Sequence, residues 1–188
     1  MSELAVGSLA GLASNSYVID VASGSQLTQP GMTLAVESAL KTDTFSSSVS
    51  GKGSVAVTDL SITHTMANAS NKLLIMAYFG VAGNSHGFGN VGIAVADDGT
   101  LIGVGTGVGD RIAVAAGGLV SSSSATHVVA MPHIHLLYSP GDTSSHTYTV
   151  RAFNIRGDTQ TLYVNRSVRD GTTDSRGASA ITIQEVAG

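Results

Sequence analysis

Gly83-Asn84-Ser85-His86-Gly87 spells Gly-x-Ser-x-Gly, the spacing that lifts a nucleophilic serine onto a strained strand-to-helix turn. Asp110 and His127 follow in the order a hydrolase triad needs. The segment after the motif, Asn90 to Ala96, alternates like a strand, so the helix that the elbow requires is missing. A glycine-rich loop is the simpler reading. Gly87-Phe88-Gly89-Asn90-Val91-Gly92 fits the dinucleotide fingerprint but again leads into a strand, leaving no helix N-terminus for a pyrophosphate. Gly51-Lys52-Gly53 lacks the spacing of a phosphate loop.

His133-Ile134-His135 is the foremost metal candidate, because alternate residues of a strand point to one face. Two such imidazoles, about 7 Å apart, need further ligands from elsewhere to hold a metal. Copies meeting at a three-fold axis are one source; a subunit contact or a solvated face is the bland alternative. Asp170 and Asp174 flank Gly171-Thr172-Thr173 without the register of a calcium loop. Arg156-Gly157-Asp158 spells an adhesion tripeptide but reads as a hairpin turn. The sequons at Asn68 and Asn165 carry little weight without a signal sequence. Glu185 reads as structural, with Arg151 or Arg166 its expected partner. No catalytic, cofactor-binding or metal-binding residue is assigned, and the expectation is a protein that is not an enzyme.

Only 12% of the 188 residues are charged, about half the usual share, while 43% are apolar. No run reaches the 18 apolar residues of a membrane span. A chain this poor in charge is expected to hide surface against partners, as permanent assemblies do. The nine Lys and Arg are scattered, and the net charge is −4, so no basic cluster awaits nucleic acid. Cysteine is absent, which removes disulfides, thiolate nucleophiles and Cys-ligated zinc. Glu3 stands where a signal peptide wants positive charge, so assembly from the cytoplasm is expected.

The elements that must position any site are short strands. Period-two alternation or brief apolar runs, bounded by Gly, Ser and Asp, predict strands over 17–21, 33–38, 54–63, 72–81, 90–96, 101–104, 112–115, 127–138, 147–153, 161–165 and 180–186. Met32, Val36 and Leu40 also fall at helical spacing, but Pro30-Gly31 favours a strand start. Lys72 to Phe79 is apolar on both faces, as a strand covered on both sides by its own domain or a neighbour would be. Asp97-Asp98-Gly99-Thr100 is a hairpin turn. Glycine at alternate positions from 103 to 109 predicts a strand stripped on one face, or a loop. The serine tracts 46–48 and 121–124 read as exposed loops. The fold class is all-β: a sandwich occupying 45–188, preceded by an extended arm with short strands over 1–44.

Several segments resemble, in order, a jelly-roll family of tailed-bacteriophage virion proteins. They are Gln29-Pro30-Gly31-Met32, Thr42-Asp43-Thr44-Phe45-Ser46, Ser70-Asn71-Lys72-Leu73-Leu74-Ile75, Ser139-Pro140-Gly141-Asp142, His146-Thr147-Tyr148-Thr149-Val150-Arg151, Leu162-Tyr163-Val164-Asn165-Arg166-Ser167, and the terminal strand Ala180–Val186. Together they span roughly 27 to 188; the stretch from Val81 to Gly118 and the His-rich segment after it depart from the pattern.

The resemblance implies a jelly-roll β-sandwich that forms homotrimers, like the tumour-necrosis-factor and complement globular heads. It implies a virion protein: a capsid decoration (cement) protein whose trimers bridge major capsid subunits, with residues 1–44 as the gripping arm. The alternative is a tail-fibre or baseplate tip that binds host-surface glycans. No repeat marks a fibre shaft, and with no Trp and nine Tyr plus Phe there are few rings to stack on sugars.

Overall fold

The computed structural model describes residues 29–82, 91–118 and 129–188. They contain twelve strands: β1 (Thr33–Lys41), β2 (Phe45–Val49), β3 (Ser54–Thr65), β4 (Lys72–Tyr78), β5 (Val81–Ala82), β6 (Val91–Asp97), β7 (Thr100–Ile102), β8 (Ala116–Gly118), β9 (His133–Tyr138), β10 (Ser145–Asn154), β11 (Gln160–Val164) and β12 (Ser179–Val186). One sheet has the order β1-β12-β4-β9 and a second β3-β10-β6-β7, with β8 also on β6; β2-β11-β5 forms a small third. Every pairing is antiparallel.

The two large sheets are one long hairpin wound on itself. From the outside inwards, β1 pairs β12, β3 pairs β10, β4 pairs β9 and β6 pairs β7. Two further ladders, β12 on β4 and β10 on β6, roll that ribbon into two layers. This is a jelly roll. The all-β sandwich expected from the strand pattern is the fold observed.

Alternation builds the core. Leu73, Ile75 and Ala77 of β4, Ile181 and Ile183 of β12, Leu60 and Ile62 of β3, and Tyr148, Val150 and Ala152 of β10 form one buried cluster. β6 is buried at every position. Its second face is covered by the segment before β8, where Val114 packs on Gly92 and Ala115 donates to the Ile93 carbonyl. A Cβ on Gly92 would stand 2.5 Å from a Val114 methyl, so this close approach requires glycine.

Turn chemistry sets the pairing. Asp98 and Gly99, with φ of 45° and 88°, make the two-residue turn joining β6 to β7. Pro140 and Gly141 (φ 87°) turn β9 towards β10.

Several local expectations are corrected. Residues 46–48 are not a loop but the middle of β2, where Ser46, Ser47 and Ser48 pair with Tyr163, Leu162 and Thr161 of β11. Of the two readings of the alternate-glycine stretch 103–109, the loop is observed: it lies beyond β7, with Gly103 and Gly109 at φ of 60°. Residues 112–115 are irregular. Of the strand expected over 127–138, residues 127 and 128 lie outside the described residues, and β9 starts at His133, directly after Pro132, which brings no backbone donor to a ladder. The strand expected over 33–38, rather than the helix, is observed as β1, which extends to Lys41 and pairs with β12. The strand expected over 17–21 lies outside the described residues.

Candidate functional site

The outer face of the β1-β12-β4-β9 sheet stands out for what its residues lack. Register places Val36, Gln184, Leu74 and Leu137 in one cross-strand row, and Ser38, Thr182, Met76 and His135 in the next. Leu40, Ala180, Tyr78 and His133 make a third. None of these twelve positions carries Asp, Glu, Lys or Arg. Val36 (58%), Leu40 (60%), Leu137 (57%) and Tyr78 (38%) are exposed, and they are four of the seven exposed large hydrophobics among the described residues. A groove of about 430 Å³ runs along it between Met76, Tyr78, His133, His135, Ala180 and Thr182. The two-sided apolar pattern of β4 is thus resolved: Leu73 and Ile75 face the core, while Leu74, Met76 and Tyr78 line this open face.

His133 and His135 therefore sit together on the apolar face, as the alternation expected. Among the described residues, no third ligand joins them within one chain. The metal-type cluster that does form is elsewhere, where the β6–β7 turn meets the start of β10. It comprises Asp97 at the end of β6, Asp98 in the following turn, and His146 on β10. His146 Nδ1 lies 2.8 Å from Asp97 Oδ1 and 3.4 Å from Asp98 Oδ2, while Nε2 lies 3.0 Å from Asp142 Oδ1. Tyr138 donates to Asp97 Oδ2 at 2.8 Å. Tyr148 stacks on His146 and meets Tyr138 edge to face.

Electrostatics follow from this crowding. Hydrogen bonds from the imidazole to Asp142 and Asp97 raise the His146 pKa against the effect of burial. The same His146 contact lowers the Asp142 carboxyl. Burial, reinforced by Asp97, pushes the Tyr138 phenol up to about 12. Burial pushes Tyr148 higher still.

A second polar network joins the sheets. Glu185 is 2% exposed and meets His64, the Ala67 amide and Asn71, not the arginines expected. Arg151 instead donates to Ser54, and Arg166 stacks over Tyr163 and pairs with Asp170. Burial alone would raise the Glu185 pKa; Asn71, the Ala67 amide and His64 outweigh it and hold it low.

The remaining candidates are placed as follows. Asp174 binds Arg169, Ser167 and the Gly171 amide, and Asp170 binds Arg176, so both carboxylates are internally paired. Arg156-Gly157-Asp158 is the turn between β10 and β11, with Arg156 Nε 3.0 Å from Asp158 Oδ1. Asn165 is fully buried at φ 59° and bonded to the Lys41 and Asp43 carbonyls, which leaves no room for a glycan. Lys52 reaches Asp110 across a surface turn. Gly92 lies in β6, so a strand follows the fingerprint glycines. Ser85, His86, His127 and Ser121–Ser124 lie outside the described residues.

No family model matches this chain, and no curated protein does. Twelve chains of solved structures match. One is the infectious bursal disease virus VP2 subviral particle, at 14% identity and a TM-score of 0.38, covering 81% of this chain. This chain spans 37% of that chain's length. Among the described residues no helix is long and apolar enough to cross a membrane.

Proposed function

We propose that this chain is a virion structural protein that self-associates through the uncharged face of its β1-β12-β4-β9 sheet. The observation that carries the reading is that face: twelve positions in register, none charged, with four large apolar side chains open to water. Fully burying one such side chain contributes about 1.5–3 kcal/mol. A contiguous patch of this kind marks an interaction surface. Three-fold closure, and the role of head decoration, come from the sequence resemblance to phage jelly-roll proteins. In that reading trimers bridge major capsid subunits, and three weak attachments act together through their shared body. No step of the role requires catalysis.

Two measurements test it. Light scattering on the purified chain should give three times the monomer mass; a monomer at micromolar concentration would refute self-association. Labelled imaging of virions separates the sites of use: many copies over the head for decoration, a few at the tail tip for the receptor-binding alternative.

A further inference from the structure

We propose that Asp97, Asp98 and His146 bind a divalent first-row transition ion, zinc being the best match, where the β6–β7 turn meets the start of β10. One ligand atom from each of these residues lies within 4.8 Å of the other two. The contacts of 2.8 and 3.4 Å from His146 Nδ1 to the two carboxylates approximate the edges of a small coordination polyhedron. A tetrahedral ion with bonds near 2.1 Å sets its ligands about 3.4 Å apart.

The surroundings orient these groups as ligands. In the metal-free chain His146 bonds Asp97 through Nδ1 and Asp142 through Nε2; the ion would take the place of the Nδ1 proton, while Asp142 keeps Nε2–H at 3.0 Å and holds the ring facing Asp97 and Asp98. Tyr138 holds the second oxygen of Asp97 and leaves the first for the ion. Asp97 is fixed by its ladder position opposite Tyr148, and Asp98 by the hairpin turn.

An independent observation points to a missing partner. Tyr148 is completely buried, yet its hydroxyl has no hydrogen-bond partner, alone among buried side-chain polar atoms of the described residues. Its ring lies against both His146 and Tyr138, the two side chains that hold Asp97. Native structures rarely leave such a group orphaned. A water bound to the ion would offer that hydroxyl an acceptor.

The donor set selects the ion. One imidazole with two carboxylates suits zinc or manganese. Calcium takes six to eight oxygens and has too few here. The ion would tie the β6–β7 turn to the start of β10.

The test uses the full chain, stripped with EDTA and titrated calorimetrically with zinc chloride alone, with magnesium and calcium chlorides as controls. One zinc per chain is expected, with a rise in melting temperature of roughly 5–10 °C at a hundredfold excess over Kd. Asp98→Asn, at an exposed turn, should lower zinc affinity at least tenfold while leaving the metal-free melting temperature within a few degrees. His146→Asn should abolish binding. His133→Ala/His135→Ala should bind zinc as the unaltered chain does. Absence of zinc binding would overturn the proposal. So would binding that survives Asp98→Asn and His146→Asn, or that disappears with His133 and His135.

Discussion

His64, on β3 of one sheet, places Nε2 3.0 Å from Glu185 Oε2, on the last strand of the other. Its second ring nitrogen lies 2.7 Å from Glu37 Oε1 on β1. One imidazole thus bolts three strands together across the interior, where both His64 and Glu185 are shielded from water.

Removing the Glu185 carboxylate should be expensive. Glu185→Ala leaves Asn71, the Ala67 amide and His64 facing an apolar gap, and the expected loss is about 3–5 kcal/mol in urea unfolding. The pH dependence has a definite sign. Because the folded carboxyl titrates below its ordinary 4.5, its contribution is complete above that pH. It disappears as pH falls through the folded value. Glu185→Gln should flatten the acid limb of a melting-temperature profile; an unchanged acid limb would show that other carboxylates govern it.

Leu40→Glu should dissociate the assembly without unfolding the subunit. Leu40 is 60% exposed in the single chain, so a charge there is solvated when alone and buried only upon association. Sedimentation should show monomers with native β-sheet circular dichroism. A variant that keeps its oligomeric mass would place the contact on another face.

Tyr148→Phe should stabilise the metal-free protein by about 1 kcal/mol, since it deletes a buried hydroxyl that no protein atom satisfies. Chemical denaturation in EDTA measures this. The same substitution in zinc should lose part of that gain, because the hydroxyl then has an acceptor to lose.

Gly99→Ala should cost about 1 kcal/mol, through backbone conformation alone. Its φ is 88°, and a Cβ there meets nothing within 4 Å, so no clash contributes. A thermal melt compared with Gly188→Ala is a poor control, because a Cβ on Gly188 runs into the Ser70 carbonyl; Gly157, with open space and no positive φ, is the right one.

The fold was legible where strands alternate and turns carry glycine. Ile181 and Ile183 face inward between outward Thr182 and Gln184, and the Asp98-Gly99 turn names its own geometry. β2 escaped notice because Ser46 to Ser48 have no strand preference of their own; the ladder to β11 holds them extended. The polar clusters were illegible for a different reason. His146 and Asp97 are 49 positions apart, and Glu185 and His64 are 121 apart. No local spacing encodes such meetings; only the winding of the hairpin makes them. His133 and His135 were visible as a pair, but nothing in the residues alone told that their face would be apolar.

Pairing of β1 with β12 also settles where foreign peptides can be inserted. Gly31 donates to the Ala187 carbonyl and Ala187 to that of Met32, so the chain enters β1 and leaves β12 side by side, at the end of the sheet where Tyr138 stands. The Arg156–Asp158 turn lies at the opposite pole, past the ten residues of β10, about 30 Å away. An insertion meant to stay clear of that end of the sandwich belongs in that turn.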